Sequence, residues 1–276
     1  MSVPLDFNIP LFVPGNRPER FEKAAQSGAD AIIIDLEDAV PPELKIAARD
    51  SLSAVDAGIP ALVRINALGT AWSQEDQAAV KGRNFAGVVV PKAEATEPFE
   101  DLCRNLGVPV VVLVESARGL ADARRLAAIP HVSRLAFGSI DFCADIGCDH
   151  DHDALLFARS ELVLASRLAG LAAPIDGVTT SIDDEALIRS DARNARRLGF
   201  GGKLCIHPRQ IPAIQAGFAP DEAEVIWACK VLTGGEGAVA VDGTMVDEPV
   251  RIRARAILKR AGANAPLLVV PRERTR

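Results

Sequence analysis

Tyrosine is absent from the 276 residues, and aromatic residues of every kind make up only 4%. Surfaces that hold single-stranded nucleic acid stack bases on aromatic rings, so this class of partner is disfavoured. The net charge of −6 and the pI near 5.4 remove the overall basic footprint of a nucleic-acid binder as well. A local basic pocket for a phosphorylated ligand is still compatible with that balance. No stretch reaches the ~18 consecutive apolar residues of a membrane span. The opening MSVPLDFNIP lacks the charged-then-apolar pattern of a secretory leader. The expectation is a cytoplasmic protein with no membrane partner.

Five cysteines, at 103, 143, 148, 205 and 229, form no C-x-x-C pair, and their number is odd. A metal site or redox pair is one reading. Buried, reduced thiols in a cytosolic protein are the reading their spacing favours. No P-loop is found, and no Ser–His nucleophile arrangement is visible along the chain. No G-x-G-x-x-G follows the first apolar run, which disfavours a dinucleotide-binding open sheet.

Eight short β-rich runs are present: LFVP at 11–14, AIIID at 31–35, ALVRIN at 61–66, GVVVPK at 87–92, VVVLVE at 110–115, RLAFGS at 134–139, PIDGV at 174–178 and GKLCIH at 202–207. The strongest are almost continuously apolar, as strands buried on both faces of a parallel sheet must be. PIDGV is the weakest. Between runs lie stretches of helical character, including 17–28, 41–58, 116–129 and 152–171. Two of these end in glycine, and 41–58 begins with proline. Strict alternation implies right-handed βα units, and eight of them favour closure into a (β/α)₈ TIM barrel over an open doubly wound sheet. The barrel is expected over 1–218. Residues 219–276 read as a C-terminal helical appendage, with helices at 220–234 and 248–262, a turn-rich stretch at 234–244 and a frayed basic tail at 263–276.

Polar residues at the C-terminal ends of barrel strands face the active site. That rule selects Asp35, Glu37 and Asp38 after strand 2, Arg64 and Asn66 on strand 3, Lys92 after strand 4, Glu115 after strand 5, Asp141 after strand 6 and His207 after strand 8. Glu115 and Asp141 follow strongly apolar runs, where an unpaired carboxylate is costly. They form either a hard-oxygen Mg²⁺ site or two ion pairs with arginine. Arg64 needs an anion, which is Glu37, Asp38 or a substrate carboxylate. Lys92 is either a Schiff-base lysine or a rim lysine for phosphate or carboxylate. The run Asp149, His150, Asp151, His152, Asp153 reads as a metal cluster or, more simply, as capping and solvated residues before a helix.

At these positions the sequence resembles citrate lyase beta-subunit-like proteins of the HpcH/HpaI aldolase superfamily, which also contains the malyl-CoA lyases. The resemblance is carried by LFVPGNRPERFEKAAQSGADAIIIDLEDAV at 11–40, VRIN at 63–66, VVPKAE at 89–94, VESARG at 114–119, FGSIDF at 137–142, GKLCIHPRQI at 202–211 and DGTMVDEPV at 242–250. It implies a carbon–carbon lyase, with Glu115 and Asp141 binding Mg²⁺ (or Mn²⁺) and the metal chelating a keto acid. It implies that Arg64 polarises the keto oxygen and that Glu37 and Asp38 order waters around the metal. It further implies that Asp247 is a base toward an acetyl methyl group in a neighbouring subunit of a homotrimer or hexamer. Arg17, Lys92, Lys203 and His207 are implied near the coenzyme A thioester. Citryl, malyl and citramalyl thioesters stay open, as does coenzyme A against an acyl carrier protein. Two other activities stay open too: a metal-dependent pyruvate aldolase, and a non-catalytic subunit working with other lyase chains.

Overall fold

The computed structural model describes residues 5–55, 57–233, 239–241 and 244–262. The chain divides into two compact units between Gly217 and Phe218.

The first unit is a ring of eight parallel strands in sequential order. They are β1 (Pro10–Pro14), β2 (Ala31–Asp35), β3 (Ala61–Arg64), β4 (Gly87–Val90), β5 (Val110–Val114), β6 (Val132–Phe137), β7 (Ile175–Asp176) and β8 (Gly202–Lys203). A parallel bridge from Leu11 to Cys205 joins the last segment to the first. Phe12 N–H donates to the Cys205 carbonyl at 2.8 Å, and Cys205 N–H donates to that of Pro10 at 3.0 Å. The expected (β/α)₈ barrel is therefore the fold. Its interior is packed with Ile33, Leu62, Val89, Val111, Leu113, Ala136, Ile175 and Leu204, contributed by seven strands or their ends, above Leu5 and Phe7. Strands alternate faces, so the intervening residues of β2 and β5, all buried, pack outward on the helices.

The surrounding helices are α1 (Phe21–Ala25), α2 (Lys45–Asp50), α3 (Ser73–Val80), α4 (Glu97–Leu106), α5 (Ala117–Ala121), α6 (Ala123–Ala128), α7 (Ser139–Ile146), α8 (Leu156–Leu168), α9 (Glu185–Leu198) and α10 (Ile211–Phe218). Several elements are shorter than the sequence suggests. The 41–58 stretch is a short α2 flanked by 3₁₀ turns at Pro42–Leu44 and Ser51–Ala54. The 116–129 stretch breaks at Asp122, whose carboxylate accepts from Ala95 N–H. Helix α8 begins only at Leu156, because Asp151 accepts from Ala154 N–H and holds a turn there. Strands β7 and β8 have two residues each, where five and six were expected.

The second unit contains α11 (Glu222–Thr233), β9 (Val239–Val241), β10 (Thr244–Val246) and α12 (Glu248–Ala261). The stretch read as turn-rich thus holds β9 and the first residue of β10, which pair antiparallel, consistent with the β-branched valines at 239 and 241. Ala228, Val231, Val246, Ala254 and Ile257 form this unit's own core. The basic tail at 263–276 lies outside the described residues. Among the described residues, no helix is long and apolar enough to cross a membrane.

Candidate active site

Arg64 ends β3 and is 9% exposed. The sequence left Glu37, Asp38 or a substrate as its anion; the bidentate partner is instead Asp35. The two residues are aligned in the β2–β3 register, and Arg64 Nε and Nη2 donate to the two Asp35 oxygens at 2.7 and 2.6 Å. Its remaining Nη1 lies 3.1 Å from Glu37 Oε2 and 3.5 Å from Asp38 Oδ2. Burial alone would weaken the proton on Arg64. The hydrogen bond and charge of Asp35, then Glu37 and Asp38, reverse that and raise its pKa. Asp35 also accepts from the backbone N–H groups of Glu37 and Ala39 at 2.9 and 3.0 Å, which folds the acid-bearing loop back over the strand end. The clue in the sequence was an aspartate ending an all-aliphatic strand.

Lys45 steadies the same loop from below. It is buried, and its ammonium donates to the carbonyls of Leu36 and Glu37 and to Asn66 Oδ1 at 2.7 to 2.8 Å. Asn66, a strand-end candidate, therefore serves the wall of the site. Its amide also donates to Asp76 and to the Leu36 carbonyl.

Lys92 follows β4 with φ +49°, in the left-handed region that disfavours a side chain. That conformation lets its backbone N–H donate to Glu115 Oε1 at 2.7 Å while its ammonium donates to Glu37 Oε1 at 2.8 Å. Burial would lower the Lys92 pKa, but the Glu37 hydrogen bond and the charges of Glu37, Asp38 and Glu115 raise it. A Schiff-base lysine needs the opposite, a neutral amine.

Glu115 follows β5 and is 3% exposed. Burial, then the negative charges of Glu37 and Asp141, push its carboxyl up to about 8. A side chain at position 138 would collide with this carboxylate, so glycine is required where β6 turns into α7. Asp141 follows in the first turn of α7 and is half-buried. Arg64, Asp35, Asp38, Glu115, Ser139 and Asp141 all line one cavity of about 420 Å³ at the C-terminal ends of the strands.

No group of three or more potential metal-ligating side chains is preassembled among the described residues. That suits Mg²⁺, which commonly takes one or two carboxylates and leaves its other positions to water and substrate. Burial and then the charges of Glu37 and Asp141 raise the Glu115 pKa, and a divalent cation held by Glu115 and Asp141 would relieve both the burial of unpaired charge and the repulsion. A pH dependence follows. Glu115 holds its proton more tightly folded than unfolded between its ordinary 4.5 and about 8. Its contribution to stability is therefore greatest below the unfolded value and is lost as pH rises through the folded one. In excess chelator the urea midpoint should fall between about pH 5 and pH 8.5, and Glu115→Gln should flatten that fall. Mg²⁺ affinity should rise over the same window by up to about tenfold per unit, because binding displaces the proton. An affinity independent of pH there would contradict the assignment.

The other candidates are scattered. His207 caps the 3₁₀ turn Pro208–Gln210 and lines a second cavity of about 350 Å³ with Phe12, Arg20 and Lys23. Arg17 is exposed, 3.9 Å from Glu19. Lys203, expected near the thioester, is instead 1% exposed, and its ammonium donates to the Gly177 carbonyl and lies 3.6 Å from Asp176. A lysine held inside the barrel wall does not reach a nucleotide. Asp247 caps α12, accepting from Val250 N–H at 3.3 Å. In the 149–153 run, His152 Nε2 bonds Asp191 Oδ1 and His150 Nε2 bonds Ser139 Oγ, each at 2.8 Å. The two histidines thus turn to different partners. All five cysteines are free; Cys103, Cys143 and Cys205 are buried and Cys148 and Cys229 partly so.

Fold and site together define a closed parallel barrel whose mouth gathers acids around Arg64 and Lys92. The family model for HpcH/HpaI aldolase/citrate lyase matches residues 8–208. The chain is 40% identical to a citrate lyase subunit beta-like protein of Deinococcus radiodurans, covering 90% of this chain and 95% of that one. It is 32% identical to a (3S)-malyl-CoA thioesterase of Cereibacter sphaeroides, covering 94% and 96%. Among solved structures it is similar to CitE from Mycobacterium tuberculosis in complex with magnesium, acetoacetate and coenzyme A. That match has 36% identity and a TM-score of 0.84, over 93% of this chain and 99% of the other. The chain belongs to the HpcH/HpaI aldolase/citrate lyase family, and membership supports a lyase-type activity.

Proposed function

We propose that the protein is a cytoplasmic, Mg²⁺-dependent carbon–carbon lyase. Its reaction cleaves or forms a citryl-, malyl- or citramalyl-type acyl thioester from an acetyl thioester and a 2-keto acid. The observation that carries this reading is the buried Glu115, with Asp141 close enough to perturb it, in the same cavity as a charged Arg64. The adjoining cavity is mostly apolar but has Arg20, Lys23 and His207 among its lining residues, which supports a phosphorylated thioester tail lying along it. The relative solved with magnesium, acetoacetate and coenzyme A lends the same combination of ligands.

Mg²⁺, or Mn²⁺, held by Glu115 and Asp141 would supply Lewis-acid charge toward the carboxylate and α-oxygen of the keto acid. Arg64 stabilises the alkoxide that collapses to the keto-acid carbonyl as the carbon–carbon bond breaks. Asp35 aims the guanidinium, and Glu37 and Asp38 hold Arg64 and Lys92 at the rim and order water. Lys92, kept protonated, binds anionic substrate groups. In condensation, Asp247 removes the acetyl methyl proton, reaching the barrel of a neighbouring copy in a homotrimer or hexamer. Residues 219–276 are the appendage that makes this contact.

The test is purified protein with Mg²⁺, acetyl-CoA and a panel of keto acids, following the new acyl thioester by mass. Product with at least one keto acid is expected. No product, together with aldol cleavage of a free hydroxy-keto acid, would make it a pyruvate aldolase instead. Turnover only after partner lyase subunits or an acyl carrier protein are added would make it one chain of a complex.

Asp247 is separable from its role as a cap. Asparagine caps about as well as aspartate, so Asp247→Asn should leave the melting temperature unchanged. It should preserve keto-acid binding but lose exchange of the acetyl methyl protons, read by NMR. Asp247→Ala should in addition cost about 1 kcal/mol of stability. Undiminished turnover in Asp247→Asn would end the catalytic assignment.

A further inference from the structure

Folding brings together two thiols that no C-x-x-C spacing announces. Cys148 Sγ donates to Cys143 Sγ at 3.6 Å. The run Cys-Ala-Asp-Ile-Gly-Cys at 143–148 accounts for the contact. Helix α7 ends at Ile146, and Gly147 follows with φ +74°, the left-handed conformation that glycine adopts without strain. That residue turns the chain back over the last helical turn. The N–H groups of Gly147 and Cys148 both donate to the Cys143 carbonyl, at 2.8 and 3.2 Å. The longer bond closes a Schellman motif, in which an apolar contact commonly links the same two residues. Here two sulfurs make that contact. Helix α7 is itself tied down nearby, since Asp145 Oδ2 accepts from Ala117 N–H at 2.7 Å. Backbone bonds therefore set the separation of the two thiols. Cys143 is buried and Cys148 partly exposed, so a reagent in solution meets Cys148 first.

A disulfide is about 2.05 Å long, so sulfurs already in contact need to approach by only about 1.5 Å. We propose that Cys143 and Cys148 are a redox-modification site, closed to an intramolecular disulfide by hydrogen peroxide. The Cys148 thiolate attacks one peroxide oxygen. The O–O bond breaks, and the departing hydroxide takes up the proton shed by the thiol, leaving water and Cys148 sulfenic acid. Cys143 Sγ then bonds to Cys148 Sγ as the S–O bond breaks, and that hydroxide leaves as water with the Cys143 proton. The sum is two thiols plus hydrogen peroxide giving one disulfide plus two waters, with two electrons passing from sulfur to oxygen. Burial of Cys143 does not obstruct the second step, because its reaction partner already touches it. Closure ties the start of the loop 147–153 to the helix that carries Asp141. It also removes the S–H that Cys143 donates to the Asp149 carbonyl at 3.6 Å. In a cytoplasmic protein stable disulfides are rare and reversible ones respond to oxidant. The partly exposed Cys148 leaves the bond open to reduction, as reversibility requires.

The experiment treats the whole protein with hydrogen peroxide and reads intact mass and non-reducing peptide maps. Wild-type protein should lose the mass of two hydrogens and regain it with dithiothreitol. Digestion at Asp145, which lies between the two cysteines, should leave their peptides joined. Cys143→Ser should lose the crosslink and accumulate sulfenic acid on Cys148, captured by dimedone. It should also overoxidise Cys148 to sulfinic acid about tenfold faster than wild type does, because a thiol held in contact outcompetes a second peroxide. Cys148→Ser should form neither the crosslink nor a dimedone adduct at Cys143. Cys229→Ser removes the other partly exposed thiol and should leave the crosslink unchanged. No loss of two hydrogens, a crosslink through any other cysteine, or equal overoxidation of Cys148 in wild type and Cys143→Ser would overturn the proposal. The sulfurs would then be only the apolar closure of the Schellman motif. Lyase turnover is not read at any step, so failure of the lyase reading leaves this test untouched.

Discussion

Asp141→Asn is expected to reduce Mg²⁺-dependent turnover by about a thousandfold or more while the fold persists. Removing the charge of one of two proposed metal carboxylates forfeits several kcal/mol of transition-state stabilisation, and each 1.4 kcal/mol is about tenfold in rate. Asp141 sits half-buried in the first turn of α7, away from the packed interior, so the melting temperature should move little. Calorimetric Mg²⁺ titration reports the binding loss directly. The same substitution should lower the Glu115 pKa, since the Asp141 charge is among the causes holding it up. Full turnover of the wild-type protein in excess chelator would refute the metal assignment for both carboxylates.

Arg64→Met is expected to give the largest combined loss of stability and activity. It leaves Asp35, 1% exposed, without the cation that neutralises it. Breaking one side of a buried pair typically costs about 3–5 kcal/mol. The Asp35 contacts to Glu37 and Ala39 N–H soften this without supplying a positive charge. Glu37 loses its nearest arginine as well, which adds to the burial that already raises its pKa. Arg64→Lys restores charge but not the planar fork that engages two Asp35 oxygens while presenting a third nitrogen to Glu37. It should therefore recover part of the urea midpoint and little of the turnover. A variant that recovers both equally would show that Arg64 acts through charge alone. A stable, fully active Arg64→Met protein would remove Arg64 from the mechanism.

Much of the barrel was legible because its signals are local. Val-Val-Val-Leu-Val is apolar throughout and Ala-Ile-Ile-Ile-Asp up to its final residue, as a strand covered on both faces requires. The same logic weakens for Ile175–Asp176 and Gly202–Lys203, where pairing lasts two residues and the bridge at Cys205 completes the ring. No local pattern encodes a strand that short. Helix ends differ from the local pattern where an acid is drawn into another bond: Asp151 takes the Ala154 N–H of its own turn, and Asp122 reaches across to Ala95 N–H.

The site divides along a similar line. Which residues stand at the C-terminal ends of strands is a matter of counting along an apolar run, so Asp35, Arg64, Lys92, Glu115 and the start of α7 near Asp141 follow from the sequence itself. Which residue meets which does not. Arg64 pairs with Asp35 because the β2–β3 register sets them side by side, 29 positions apart in the chain. Lys92 touches Glu115 and Glu37 at once because a left-handed residue turns the chain at the end of β4. Lys203 turns inward to Gly177, and His150 folds back onto Ser139. The sequence by itself determined the barrel rhythm and the acids and bases at its mouth, since both depend on short-range periodicity. Only the tertiary structure decided the partners, because register, a positive φ and a loop's return path set those distances, and none of them scales with separation along the chain.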